Sequence, residues 1–291
     1  MHGKTALVTG STAGIGRETA RGLARLGAHV LLVGRDPERA RTAAAELEAA
    51  GPGRVTALTA DLSTLDGLRR LAGQVAERHD RLDALVNNAG GMNARRHLTG
   101  DGVEATFAVN VLAPYALTCL LLPMLRAADG ARVVNLTGGM PGGPIDPDNL
   151  QAEKTFLGWT FAHYNHAKTA LMAMSHRFAG RLRDDGVTVN VAYPGHAYTP
   201  GNRATPMRAF PYAYRPVAPL IRLVGPLLLS DLAKASRSSV HLASSPEVEG
   251  VTGAYFDAKA RRTSWPSGAL DERGQEAVWS LCERLTGLTP S

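Results

Sequence analysis

Cysteine is nearly absent: Cys119 and Cys282 are the only two in 291 residues. They are too few and too far apart for a disulfide framework or a zinc cluster. The first residues run almost at once into an apolar stretch, without the basic, apolar and small-residue succession of a secretory signal. Long hydrophobic runs are scarce as well. The nearest candidate, residues 217–229, is broken by Pro219, Arg222, Gly225 and Pro226, and falls short of the roughly 20 apolar residues a spanning helix needs. Basic tracts interleaved with aromatics are missing, so the net charge of +6 points to an anionic small ligand and not to nucleic acid. These absences set the expectation of a cytoplasmic protein with no membrane span, no metal and no nucleic-acid partner.

What is present is a core-forming composition, 44% hydrophobic against 20% charged, which lets a chain of this length bury a continuous interior. Apolar runs at 5–8, 29–33, 55–59, 82–86, 132–136 and 187–192 alternate with helical patterns. Those patterns reach to about 27, then cover 39–50, 65–79, 101–126 and 161–183. Buried strands alternating with helices through short links predict an α/β fold, a doubly wound parallel sheet of Rossmann type with helices on both faces. Nothing divides residues 1–291 into parts, so a single domain is expected, closing with a helix at 231–243, a strand near 253–256 and a C-terminal helix. Residues 199–230 differ in character, mixing Pro, Tyr and Leu as in Phe210-Pro211-Tyr212-Ala213-Tyr214. Such an insertion reads as a lid or pocket wall over an apolar ligand, or as a dimer contact.

The first strand ends in Thr9-Gly10-Ser11-Thr12-Ala13-Gly14-Ile15-Gly16, and a helix follows. Glycines there let the backbone approach a diphosphate, and the helix start offers unpaired N–H groups and a positive dipole end. The second strand ends in Gly34-Arg35-Asp36. A glycine at the strand end cannot bind a ribose 2′-hydroxyl, while Arg35 can meet a 2′-phosphate, so NADP(H) is favoured over NAD(H). After the third strand, Asp61 or Ser63 can cap the next helix. Asn87-Asn88-Ala89-Gly90 follows the fourth strand, where small residues suit a close approach of cofactor and backbone. Asn110 falls within a long helical pattern, where a buried amide would need partners. Tyr164 and Lys168, four apart on a predicted helix, share one face. An ammonium beside a phenol stabilises the phenolate and lowers its pKa, making the pair a candidate general acid/base.

In this order, and with Pro194-Gly195 and Thr199 behind them, these motifs resemble the short-chain dehydrogenase/reductase family. The connection at 145–151 and the tail at 220–285 resemble its retinol-dehydrogenase-like branch. The resemblance implies that Gly10, Ser11, Thr12, Gly14, Ile15 and Gly16 hold the diphosphate, and Asp61 and Leu62 the adenine. It places Asn87, Ala89 and Gly90 at the adenine-side ribose region, and Pro194, Gly195 and Thr199 at the carboxamide end. Tyr164 would exchange the proton with the substrate oxygen, Lys168 would bind the nicotinamide ribose, and Asn110 would anchor a water of the proton relay. A homodimer through the long helices is a further family expectation.

One part of the pattern is missing. The family places a serine second of two small hydroxyl residues after an Asn-apolar pair, whereas Asn135-Leu136 is followed here by Thr137-Gly138. Thr137 is the first candidate to replace that hydroxyl, although neighbouring strand residues face opposite ways. His163, Asn149, or a hydroxyl beside the substrate's own carbonyl are the alternatives. The expected function is NADPH-dependent reduction of a ketone or aldehyde on a fairly large apolar or aromatic small molecule, or the reverse oxidation of the alcohol. A double-bond reductase, and an NADP-binding sensor or interaction protein without catalysis, are the alternative readings.

Overall fold

The computed structural model describes residues 1–140, 142–197, 199, 205–217, 219 and 231–290. The six apolar runs become the parallel strands β1 (Thr5–Thr9), β2 (His29–Gly34), β3 (Val55–Thr59), β4 (Ala84–Asn87), β5 (Arg132–Leu136) and β6 (Thr188–Ala192). Two short strands, β7 (Tyr255–Phe256) and β8 (Arg262–Thr263), extend the sheet to the order β3-β2-β1-β4-β5-β6-β7-β8, with only β7 and β8 antiparallel. Leu7, Leu31, Leu85, Val133 and Val189 pack on one face, and Ala6, Val8, Val30, Val86 and Val134 on the other. Burial on both faces is why these strands read as unbroken apolar runs and show no alternation.

The helices are α1 (Gly14–Arg25), α2 (Pro37–Glu48), α3 (Leu65–Ala76), α4 (Ala105–Phe107), α5 (Ala113–Arg126), α6 (His163–Arg181), α7 (Arg237–Ser244) and α8 (Glu272–Thr286), with a few single-turn pieces between them. Leu23, Leu47 and Leu242 bring α1, α2 and α7 onto one face of the sheet, and Leu71, Leu121, Leu171 and Trp279 bring α3, α5, α6 and α8 onto the other. Strand order reverses between β1 and β4, which opens a crevice at the carboxyl ends of the strands, the usual ligand position in such sheets.

Several local readings change. The predicted helix over 101–126 is interrupted by a π-helical turn at Ala108–Leu112, and Asn110 sits in it. Pro114 follows in the first turn of α5, where its missing N–H costs nothing. Among the described residues, the stretch Ala105–Arg126 is by length and composition apolar enough to cross a membrane. Here 78% of it is buried inside the fold. Thr64, and not Asp61 or Ser63, caps α3 by accepting from Gly67 N at 3.2 Å. The helix expected at 231–243 is two pieces, Leu232–Ala235 and α7.

The C-terminal helix α8 lies against α5 and α6, where Tyr115, Phe178 and Trp279 stack with ring centroids 4.8–5.3 Å apart. The lid expected at 199–230 falls largely outside the described residues, which exclude 200–204, 218 and 220–230.

Candidate active site

The glycine turn is held open by backbone geometry. Gly10 has φ 62°, and a Cβ there would lie 2.9 Å from Ala89 Cα. A Cβ at Gly16 would come within 2.3 Å of Asn88 Nδ2 and 2.4 Å of Gly10 O. Asn88 pins the turn, its Nδ2 donating to Thr9 O (2.8 Å) and Gly10 O (3.1 Å). Thr9 Oγ1 accepts from the backbone N–H of Asn88 and of Ala89, both at 3.0 Å. Helix α1 starts at Gly14 with Ala13 in the capping position, without a side-chain cap or an acid in its first turn. Its leading N–H groups and positive dipole end are left for an anion. Thr12 packs on the end of β2, where a Cβ at Gly34 would be 2.3 Å from Thr12 Cγ2. Ile15 joins the core beneath.

Two residues assigned to the cofactor turn inward instead. Ser11 is fully buried; its hydroxyl donates to Val8 O (2.6 Å) and accepts from Val33 N (3.0 Å). Asn87 Nδ2 donates to Asn135 Oδ1 (2.8 Å), and Asn135 Nδ2 to Ser175 Oγ (2.8 Å), a buried link across β4, β5 and α6. Both side chains build the framework, because an interior amide or hydroxyl must be paired. At the end of β2, Arg35 is exposed, while Asp36 accepts from Glu38 N and Arg39 N to cap α2. The acid is thus committed to the helix and the guanidinium is presented at the crevice rim. Asp61 is held below its ordinary pKa, chiefly by the Ser63 N–H against the opposing effect of burial, with the Ser63 hydroxyl and Arg35 helping. Leu62 behind it is buried.

At the other side of the crevice, Gly90 is a point of convergence. A Cβ there would meet Asn110 Oδ1 at 2.6 Å and Lys168 Nζ at 3.1 Å. The π-helical turn is what aims Asn110: its Nδ2 donates to Thr106 O (2.8 Å) and Gly91 O (2.9 Å), and its Oδ1 is buried without a protein partner. Lys168, 3% exposed, donates to Leu136 O at 2.9 Å, with Nζ 5.9 Å from the centre of the Tyr164 ring. An unpaired acceptor beside an ammonium suits the hydroxyls of a ribose, and the uncapped α1 suits a diphosphate, so the residues fit a nicotinamide dinucleotide. Pro194, Gly195 (φ 77°) and Thr199 follow β6 at the same end of the sheet.

The electrostatics differ from the expectation that Lys168 lowers the tyrosine pKa. Burial pushes Lys168 down to about 7. Burial, then the neighbouring Tyr193, push Tyr164 up to about 12. The ammonium does not touch the phenol oxygen, so loss of water outweighs attraction.

Glycine at 138 does occupy the position facing the tyrosine. A Cβ at Gly138 would be 2.9 Å from Tyr164 Oη, and one at Gly139 (φ 66°) would be 3.0 Å from Tyr164 Cε1. Thr137 is buried, with its hydroxyl sealed from solvent and unpaired. His163 Nε2 is bonded to Glu104 Oε2 at 2.8 Å, both side chains fully enclosed. Burial raises the Glu104 pKa, but the bond and charge of His163 and the N–H groups of Thr106 and Phe107 more than offset it. Asn149 is occupied by Thr155 O, Lys154 N and Thr155 N. The sequence reading missed Asn88, Glu104 and Tyr193, whose partners lie far along the chain; Tyr193 had only its place before Pro194-Gly195 to mark it.

An eight-stranded, mostly parallel sheet with an uncapped glycine turn at its switch point, facing a Tyr, Lys and Asn cluster, defines a Rossmann-type oxidoreductase. The chain belongs to the short-chain dehydrogenase/reductase family, in its retinol-dehydrogenase-like branch. The short chain dehydrogenase family profile matches residues 4–144. Retinol dehydrogenase 13 of Homo sapiens is 35% identical over 290 residues, covering 99% of this chain and 86% of that protein. A Streptomyces sp. (strain C5) protein named as a candidate daunorubicin C-13 ketoreductase is 35% identical over 291 residues, covering 99% and 94%. Among solved structures, the Pseudomonas aeruginosa RhlG/NADP active-site complex is similar at a TM-score of 0.68 and 29% identity, covering 89% of this chain and 96% of that one.

Proposed function

We propose that the protein is an NADP(H)-dependent carbonyl reductase, or alcohol dehydrogenase in reverse, acting on a fairly large apolar or aromatic molecule. The observation that carries this reading is the convergence of Asn110 Oδ1 and Lys168 Nζ on Gly90, with Tyr164 on the next turn of the lysine's helix. When bound, the nicotinamide supplies or accepts the hydride. Uncapped α1 would hold the diphosphate, Lys168 and Asn110 the ribose side, and Arg35 the 2′-phosphate. NADP in a related solved complex supports the same preference.

Tyr164 gives its proton to the carbonyl oxygen as that oxygen gains charge. Burial holds the Tyr164 phenol protonated at neutral pH, so it enters the reduction as the proton donor, and a positive charge on Lys168 is what makes it a better acid. Lys168, once charged, stabilises the phenolate that remains until solvent returns the proton. For the substrate, Met140, Trp159 and Tyr212 are large, exposed and apolar. Met140 N bonds to Asn165 on α6, and the Trp159 and Tyr212 segments are joined by backbone hydrogen bonds. The names of the two relatives, a retinol dehydrogenase and a candidate daunorubicin C-13 ketoreductase, support an apolar or ketone substrate.

The test is NADPH consumption with a panel of aryl ketones and long apolar aldehydes, for the wild type and Tyr164→Phe. Loss of roughly 10²–10⁴-fold in kcat in the variant is expected. Gly138 favours one second reading, a nucleotide-binding protein without catalysis. Tight NADPH binding with no Tyr164-dependent turnover of any carbonyl would establish that instead.

A further inference from the structure

A tyrosine working alone leaves half of a developing oxyanion unbonded, and a site normally aims a second donor at that oxygen. The three protein groups that the sequence offered for this task are unsuited to it. Thr137 Oγ1 is buried and makes no hydrogen bond, to Tyr164 or to any other group. His163 is locked onto Glu104, and the Asn149 amide is turned to its own loop, Nδ2 donating to Thr155 O and Oδ1 accepting from Lys154 N and Thr155 N. A fourth group, Tyr193, lies beside the next residue, Gly139.

Tyr193 follows β6 directly, and its backbone N–H bonds to Phe256 O at 2.8 Å. Its neighbour Ala192 accepts from Thr137 N at 3.0 Å, which sets Tyr193 alongside the Thr137-Gly138-Gly139 turn. The Tyr193 hydroxyl lies 3.4 Å from Gly139 O and 3.5 Å from His196 Nε2. Ordinary hydroxyl bonds are about 2.7–2.8 Å, so this hydroxyl is only loosely held. Gly139 is the residue on which the Tyr164 ring rests, since a Cβ there would be 3.0 Å from Tyr164 Cε1. Tyr193 is partly exposed, in contrast to the sealed Thr137.

We propose that Tyr193 donates the second hydrogen bond to the reacting oxygen, reaching from the end of β6 into the space left by Gly138. The assignment rests on the carbonyl-reductase reading. The two phenols then have separate tasks. Lys168 stands beside Tyr164, whose phenolate it can stabilise, so Tyr164 transfers the proton. Burial raises the pKa of both phenols, so both are protonated at neutral pH, and the lysine on its own helix is what singles out Tyr164 for proton transfer. As charge builds on the substrate oxygen, the loose contacts to Gly139 O and His196 are exchanged for one bond to an anion, which is stronger. Only the transition state gains from that exchange.

Tyr193→Phe keeps the ring and removes the donor. Its kcat on simple aryl ketones should fall roughly hundredfold, with KM and the NADPH dissociation constant within about twofold of wild type. A kcat within twofold of wild type overturns the proposal. So does a change confined to KM or thermal stability, which would mark Tyr193 as a prop for the Gly139 turn. Paired substrates give a test in the wild type alone: an aryl ketone with an ortho-hydroxyl, and its methoxy analogue. Comparable kcat for both supports a donor from the protein, whereas turnover confined to the ortho-hydroxy ketone assigns the bond to the substrate and refutes Tyr193. Tyr164→Phe is measured in parallel. Activity that needs Tyr164 and not Tyr193 refutes this assignment only, while the absence of any Tyr164-dependent carbonyl turnover refutes the underlying reading together with it.

Discussion

The two sides of the crevice are built on different terms. On the cofactor side, Gly10, Gly16 and Gly34 are each hemmed in by neighbours, and Asn88 and Thr9 tie the turn to β4 with short bonds. On the substrate side, Gly138 and Gly139 face the movable ring of Tyr164, and the Tyr193 hydroxyl is held at 3.4 Å or more. The cofactor side keeps the family's residues, and the substrate side has lost one of them. A site that binds one invariant ligand tolerates little change in backbone contact, whereas a site that meets a particular substrate can exchange one donor for another. What both sides share is the buried framework behind them, Asn87–Asn135–Ser175 and Glu104–His163.

Removing part of that framework should have the largest effect. His163→Leu removes the side-chain partner of the enclosed Glu104 carboxylate and leaves it only backbone N–H groups, which costs up to about 3–5 kcal/mol and should appear as a large drop in the urea midpoint. An unchanged midpoint would show that the pair does not couple α6 to the turn carrying Asn110.

Acid should act on the same region nearly as strongly. Burial, with the charge of His163, pushes His166 down to about 4, against the opposing effect of Asp146. Its Nε2 accepts from Asp146 N at 2.9 Å, a bond that needs the neutral ring. The folded state therefore prefers unprotonated His166. Its contribution is fully present above the ordinary value of 6.5 and is lost as pH falls from there toward 4, at most about 3 kcal/mol. Stability of His166→Gln between pH 7 and 4.5 should fall less steeply than that of wild type. Parallel curves would remove His166 as the cause.

A matched pair of glycine substitutions sharpens the contrast between the two sides. Gly16→Ala sets a methyl against Asn88 Nδ2 and Gly10 O, an overpacking of about 1–3 kcal/mol, and should weaken NADPH binding while sparing kcat at saturation. Gly138→Ala meets Tyr164 Oη alone and should lower kcat while sparing NADPH binding. If either change affected the other quantity, the division of the crevice would fail. The smallest effect is expected at the rim: Arg35→Ala should cut the preference for NADPH over NADH by roughly tenfold, the lower end for a charged hydrogen bond. An unaltered ratio would assign that preference elsewhere.

Much of this was legible in the chain. The strand–glycine–helix order, the absence of an acid at Gly34 and the spacing of Tyr164 and Lys168 are local patterns, set by steric freedom and helical period within a few residues. The inward turn of Ser11 and Asn87 was not legible, because hydroxyls and amides look the same in sequence whether they face a ligand or the core. The helical pattern over 101–126 showed interruptions at Pro114 and Pro123 but not the turn at Ala108–Leu112, since a π-helical turn has no sequence signature.

By itself, then, the sequence pointed to the family, the alternation of strands and helices, the glycine turn and the missing serine, all consequences of short-range chemistry. Only the tertiary structure decided which groups stand at the Tyr164 hydroxyl. Gly138 faces that hydroxyl, and Tyr193 is brought beside Gly139 through the pairing of β5 with β6, a contact between segments more than fifty residues apart, and strand pairing at that distance is settled by packing of the whole sheet.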